Sequence, residues 1–348
     1  MLWREMPESN YNLSSRLLHH FALNYRFMLE ASFQLEQSLY GDNLTDRHLE
    51  SHVFISGLAR AGTTILMRSL HETNLFRSLT YRDMPYVLAP NLWYRLSRYF
   101  ARTSSDQMRA HQDNIMVNYD SPEALDEVFW RLHCEDIYLL PDCLVPMQAN
   151  QEVIDSLRTY INLILKQHPN KRYLSKNNNN ILRLPSLAKA FPNSVILLPV
   201  RNPLTHAFSL LRQHNRFCQV QKSNGFTCKY MQWLAHYEFG MDQRPFRFDT
   251  DESHNYSPSQ MNYWLRLWIS TYRFVSQSMT PNSILVSYEK LCNDTEATWR
   301  RLCDRIECED FVKPPNLVES SPIIETEYSD ELAQQALTIH DEIMNHVI

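Results

Sequence analysis

The most chemically specific stretch of this 348-residue chain is Gly57-Leu58-Ala59-Arg60-Ala61-Gly62-Thr63-Thr64, with the spacing G-x-x-x-x-G-x-[ST]. That spacing lets backbone N–H groups converge on an anion at the start of a helix, where the dipole also favours negative charge. A nucleotide triphosphatase would carry lysine at position 63, reaching the outer phosphates. Here Thr63 stands in that place, and Arg60 is the loop's only cation. The loop therefore reads as built for a phosphate with a different attached group, although the same spacing also serves an ordinary strand-to-helix turn.

The elements that must hold this loop follow from apolar spacing. Residues 52–56 form a short apolar run entering the loop, and 64–71 have helical spacing, which makes a strand, loop and helix unit. Further strand-like runs cover 77–81, 172–175, 194–200 and 283–287, with helix-like sequence between them. Leu17, Phe21, Tyr25, Met28, Leu35 and Leu39 predict a helix over 14–40, with Ser14 or Ser15 as its cap. Ser121 and Pro122 suit the start of a helix running to His133, and further helices are expected over 152–167, 182–190 and 203–213. Five strands alternating with helices predict an α/β fold, a central parallel sheet flanked by helices on both faces. The organisation expected is a helical N-terminal extension over 1–50 and one domain over 51–348. Within that domain, 85–170 and 215–275 read as helical or irregular insertions. Tyr263, Trp264, Trp268 and Tyr272 lie near helical spacing, and such a stripe is expected to be core.

Composition removes several function classes. The chain has 5 glycines, Gly41, Gly57, Gly62, Gly225 and Gly240, none separated by one residue, so a G-x-G-x-x-G dinucleotide fingerprint cannot occur. A net charge of -5 gives no broad electrostatic footprint for nucleic acid or an anionic membrane, while leaving room for a local basic pocket. No apolar run approaches the roughly 20 residues a bilayer needs, and the N-terminus lacks the pattern of a secretory signal. The 7 cysteines include no C-x-x-C pair, which favours reduced thiols and a cytoplasmic setting. His133, Cys134 and Cys143, or Cys303 and Cys308, have no recognised metal-ligand spacing.

Residues 54–64 resemble the 5′-phosphosulfate loop of sulfotransferases, commonly G-[LVT]-P-R-S-G-T-T, with Ala59 for the usual proline and Ala61 for the usual serine. Arg201-Asn202-Pro203, followed by Ser209, is similar to the same family's 3′-phosphate element, R-[DN]-P-x(5)-S. Lys176-Asn177, with Leu184-Pro185-Ser186-Leu187 and Phe191-Pro192-Asn193 after it, is a weaker match, as is the block over 284–303. The resemblance spans about residues 52–307. It lies nearer the carbohydrate, tyrosylprotein and bacterial branches, because no glycine follows Gly240 to form the K-G-x-x-G-x-W-K loop of the cytosolic small-molecule branch.

The resemblance implies 3′-phosphoadenosine 5′-phosphosulfate as donor and in-line transfer of its sulfuryl group, with no metal required. It implies that Ala59, Arg60, Ala61, Gly62, Thr63 and Thr64 hold the 5′-phosphosulfate, and that Arg201 and Ser209 hold the 3′-phosphate. Arg60 and Lys176 are the implied catalytic cations. Asp83, expected at the carboxyl end of the second strand, is the implied general base, with Asp83 as a cap or ion-pair partner, or His111, Asp120 or Glu123 as the base, left open. The implied partner is a small-molecule, carbohydrate or lipid acceptor held by the insertions. An ATP-using P-loop kinase and a catalytically silent nucleotide-binding protein are the alternatives.

Overall fold

The computed structural model describes residues 13–98, 107–108, 116–117, 123–223, 225–248, 256–308, 314 and 324–348. Its strands in chain order are β1 (Val53–Ile55), β2 (Phe76–Arg77), β3 (Gln107–Met108), β4 (Met116–Val117), β5 (Arg172–Lys176), β6 (Val195–Val200) and β7 (Ser283–Ser287). Apart from β3 and β4, which pair antiparallel, the strands make one parallel sheet in the order β2-β5-β1-β6-β7. β1 lies at its centre, with Ile55 level with Lys176 on one side and with Leu197 on the other. After β1 the chain runs to the far edge, returns to β5, then crosses over β1 to reach β6. This reversal puts a ligand crevice at the carboxyl end of β1, the usual place in open α/β sheets.

The helices are α1 (Leu13–Asn24), α2 (Arg26–Tyr40), α3 (Thr63–Glu72), α4 (Pro90–Ser97), α5 (Glu127–Tyr138), α6 (Gln151–Leu165) and α7 (Leu184–Ala190). They continue as α8 (Pro203–Ser223), α9 (Gly225–Trp233), α10 (Met261–Ser278), α11 (Tyr288–Asn293), α12 (Thr295–Arg305) and α13 (Asp330–Met344). Period-2 alternation sends neighbouring strand residues to opposite faces. Val53, Ile55, Leu197 and Val286 pack with Leu66 and Leu70 of α3 and Trp299 of α12. Phe54, Ile196 and Leu198 face the larger core, built with α5, α6 and α10. Tyr263, Trp264, Trp268 and Tyr272 of α10 are all buried in it.

Several elements depart from the sequence expectation. The helix expected over 14–40 breaks at Tyr25, whose φ of -104° and ψ of 120° are extended. The apolar stripe expected to bury it is exposed at Leu17, Phe21, Leu35 and Leu39, whereas Ala22, Leu23, Leu29 and Phe33 face the core. The break re-aims the second half, so two different faces reach the core. The second strand stops at Arg77 instead of running to residue 81, because Thr80 opens a 3-10 turn over Tyr81–Asp83. The helix expected from Ser121 begins at Glu127; Ser121, Pro122, His111 and Asp120 lie outside the described residues. No described helix is long and apolar enough to cross a membrane.

Candidate active site

The loop after β1 is fixed by backbone geometry. Ser56 N–H donates to the Leu197 carbonyl at 2.9 Å, which carries the chain out of the sheet beside β6. Gly62 has φ of 95°, where a Cβ would be strained and would also lie 3.0 Å from the Tyr288 ring. Arg60 holds φ of 71° although it is not glycine. Gly62 caps α3 without a side-chain acceptor, so the N–H groups of that first turn look outside the helix for partners. Thr63 is buried and Thr64 half-buried at this helix start.

The loop's cation meets its partners from β6 and α8. Asn202 caps α8: its Oδ1 accepts from Leu204 N at 3.1 Å and Thr205 N at 3.2 Å, and Pro203 occupies the first helical position. This aims α8 at the loop. Arg60 Nε donates to Ser209 Oγ at 3.4 Å, and Arg201 Nη1 donates to the Arg60 carbonyl at 3.3 Å. The Arg201 guanidinium lies 4.7 Å from the centre of the Tyr288 ring, which thus covers Gly62 and supports Arg201 together. Glu289 follows, accepting from Asn202 N at 2.8 Å. His206, fully buried, donates from Nε2 to the Ala59 carbonyl at 2.8 Å. Burial pushes its pKa down to about 3, so the ring is neutral.

Lys176, at the end of β5, is buried with its Nζ 3.9 Å from Glu123 Oε1. Glu123 is itself buried; its N–H donates to the Leu79 carbonyl at 3.2 Å, and its Oε2 accepts from the Tyr81 hydroxyl at 3.1 Å. Beneath this pair, Asp126 accepts from Ser175 Oγ at 2.5 Å, and Asn177 Nδ2 donates to Glu127 at 2.6 Å and to Asp126 at 3.2 Å. Burial raises Asp126 to about 6. Glu127 also pairs with Arg183, both wholly buried. The residues flanking Lys176 are therefore clamped to the start of α5, which fixes where Lys176 and Glu123 sit.

Asp83 is placed differently from expectation. It lies six residues beyond the end of β2, and its carboxylate is turned to local structure: Oδ1 accepts from Arg77 at 2.6 Å, Oδ2 from Thr80 N at 2.7 Å and Thr80 Oγ1 at 3.1 Å. The structure brings Arg60 beside both Ser209 and Arg201, and Lys176 lies one strand away, level with Ile55 at the mouth of the loop. His206 and the Tyr288 support escaped sequence reasoning, as did the closeness of Glu123 to Lys176. For Tyr288 and Glu289 the weakly matching block over 284–303 held the signal.

A central strand leading through a glycine loop into a helix, with the loop at the point where strand order reverses, defines the phosphate-loop class of α/β folds. The sequence profile of the sulfotransferase family matches residues 52–312, and the chain belongs to that family. No curated protein matches it in sequence. Among solved structures it is similar to a sulfotransferase from Mycobacterium tuberculosis H37Rv, with 16% identity, 94% of this chain and 81% of that one covered, and a TM-score of 0.47. A sulfotransferase from Mycobacterium avium gives 12% identity, 94% and 76% coverage and a TM-score of 0.46. The sulfotransferase domain from the curacin biosynthetic pathway gives 14%, 82% and 78%, and 0.35.

Proposed function

We propose that this protein moves a sulfuryl group from 3′-phosphoadenosine 5′-phosphosulfate to a hydroxyl or amine of an acceptor. The observation that carries the reading is the meeting of Arg60, Arg201 and Ser209 at the carboxyl ends of β1 and β6. Two guanidinium groups, a hydroxyl and an uncapped helix start suit a donor with two separated phosphates. In this reading Arg60 and the loop from Ala59 and Ala61 through Gly62, Thr63 and Thr64 receive the 5′-phosphosulfate, while Arg201 and Ser209 take the 3′-phosphate.

When bound, the donor supplies an electrophilic sulfur joined to a phosphate leaving group. The chain's own part is to orient both reactants and to hold charge and proton. Arg60 and Lys176 stabilise negative charge on the bridging oxygen as the sulfur–oxygen bond breaks. Glu123 takes the acceptor's proton as the new bond to sulfur forms, leaving adenosine 3′,5′-bisphosphate and the sulfated acceptor. Glu123 suits this role better than Asp83 because it lies beside Lys176, the cation at the end of β5, whereas Asp83 is paired with Arg77 in the turn that follows β2. Residues 51–348 form the catalytic unit in this reading, with the acceptor held by 85–170 and 215–275.

An ATP-using kinase is the second reading, and Thr63 in the place of lysine weighs against it. The test is release of adenosine 3′,5′-bisphosphate from the phosphosulfate donor across a panel of hydroxyl and amine acceptors, against phosphoryl transfer from ATP with Mg²⁺. Turnover of the first kind alone supports the proposal, and phosphoryl transfer would replace it. Tight donor binding without turnover on any acceptor would support a silent nucleotide-binding protein.

A further inference from the structure

Arg60 carries a positive φ that is strained for an L-residue, and such a conformation persists only where its surroundings over-determine it. The two peptide planes flanking Arg60 are each held by one side chain of the β6–α8 unit. Arg201 donates to the Arg60 carbonyl, and His206 Nε2 donates to the Ala59 carbonyl at 2.8 Å. Because a trans peptide is planar, fixing the Ala59 carbonyl also fixes the opposite direction for Arg60 N–H. Left-handed geometry at Arg60 is the kind of local turn that makes successive N–H groups converge into an anion-receiving concavity.

His206 is a costly choice if its role is to fill space. The ring is fully buried, and its Nδ1 is buried without a hydrogen-bond partner. An apolar side chain of similar volume would fill the same room without an unmet nitrogen. The bond to Ala59 is what the imidazole adds, and it acts on the residue next to the loop's only cation.

We propose that His206 is a positioning residue of the donor site: its Nε2–H holds the Ala59–Arg60 peptide in the orientation that receives the 5′-phosphate. This rests on the donor reading above and adds a residue to it. His206 acts through the loop and touches no substrate, so its effect is confined to ligands carrying a 5′-phosphate.

The test measures binding of adenosine 3′,5′-bisphosphate, AMP and adenosine 3′-monophosphate to wild type, His206→Met, His206→Ala and His206→Gln by calorimetry. Methionine and alanine remove the donor, while the glutamine amide can place one at the reach of Nε2. The donor-less variants are expected to bind the bisphosphate and AMP about tenfold more weakly, the worth of one buried hydrogen bond, and to keep their affinity for the 3′-monophosphate. His206→Gln is expected to restore most of the loss. Unchanged AMP affinity, an equal loss for the 3′-monophosphate, or glutamine behaving like methionine would overturn the proposal. So would glutamine folding where neither donor-less variant does, since the bond would then be a folding requirement. Wild type that fails to bind the bisphosphate at all would instead remove the donor reading itself.

Discussion

Replacing Glu123 and Asp83 by their amides separates the two carboxylates by the kind of damage each causes. Glu123→Gln keeps the side chain's shape and an oxygen for Ala124 N–H, which donates to Oε1 at 3.1 Å. Losing the carboxylate 3.9 Å from the buried Lys176 leaves that charge unpaired, at a cost of about 3 kcal/mol or a little more, within what a domain can lose. The fold should survive. Removing that negative charge leaves the site more positive, so affinity for the anionic bisphosphate should stay level or rise. Turnover should fall by about 100- to 10,000-fold, the usual worth of a general base. Asp83→Asn instead removes charge from the bonds to Arg77 and Thr80. Losing about 3 kcal/mol there, at about 2.1 cal/mol/K of unfolding entropy per residue, lowers the melting temperature by about 4 °C while turnover stays within about threefold. The assay is single-turnover release of adenosine 3′,5′-bisphosphate with the best acceptor of the panel, alongside thermal melts. Near-normal turnover in Glu123→Gln, or loss of turnover without loss of stability in Asp83→Asn, would refute the assignment.

Arg201→Ala should weaken the bisphosphate by about 10- to 100-fold and AMP by clearly less, because the charge-assisted bonds to the 3′-phosphate are lost for the bisphosphate alone, while the bond to the Arg60 carbonyl is lost for both; calorimetry showing equal losses would contradict it. Glu127→Ala strands the buried Arg183 charge and should cost about 3–5 kcal/mol in urea unfolding. Stability should also fall in acid. His52 and His206, both lowered by burial from 6.5 to about 3, bind protons in the unfolded chain first, so each contributes a loss of up to ~1.4 kcal/mol per pH unit as pH drops from 6.5 towards 3. Asp126, raised from 3.8 to about 6, and Glu36, also raised by burial, act oppositely, while burial lowers His19, His133, His168 and His214 as well, so the histidines' loss prevails. Urea midpoints that stay level between about pH 6 and pH 4.5 would contradict this balance.

The sheet was legible because its strands are short apolar runs set off by helical sequence, and the glycine loop because few glycines leave little noise. The break at Tyr25 was not, since no glycine or proline marks it and the exposed stripe of Leu17, Phe21, Leu35 and Leu39 has good helical spacing of its own. Arg201 and Ser209 could be grouped from spacing because Ser209 lies about two turns past the strand end that carries Arg201, whereas the contacts of Arg60 with both come from a different motif and carry no spacing signal. Glu123 could not be ranked that way. It reaches Lys176 from within the 85–170 insertion, more than forty residues past the second strand, through a backbone bond to Leu79 that no local pattern encodes. Asp83 illustrates the converse. Its nearness to the second strand suggested a base, but Thr80 three residues before it makes a capping arrangement that consumes the carboxylate.

The donor site is tested most directly by equilibrium binding without metal. Titration of wild type with adenosine 3′,5′-bisphosphate should give saturable binding that is at least about tenfold tighter than ADP or AMP, the least that one charge-assisted contact to the 3′-phosphate contributes. Equal affinity for ADP, or binding seen only for ATP with Mg²⁺, would contradict the account.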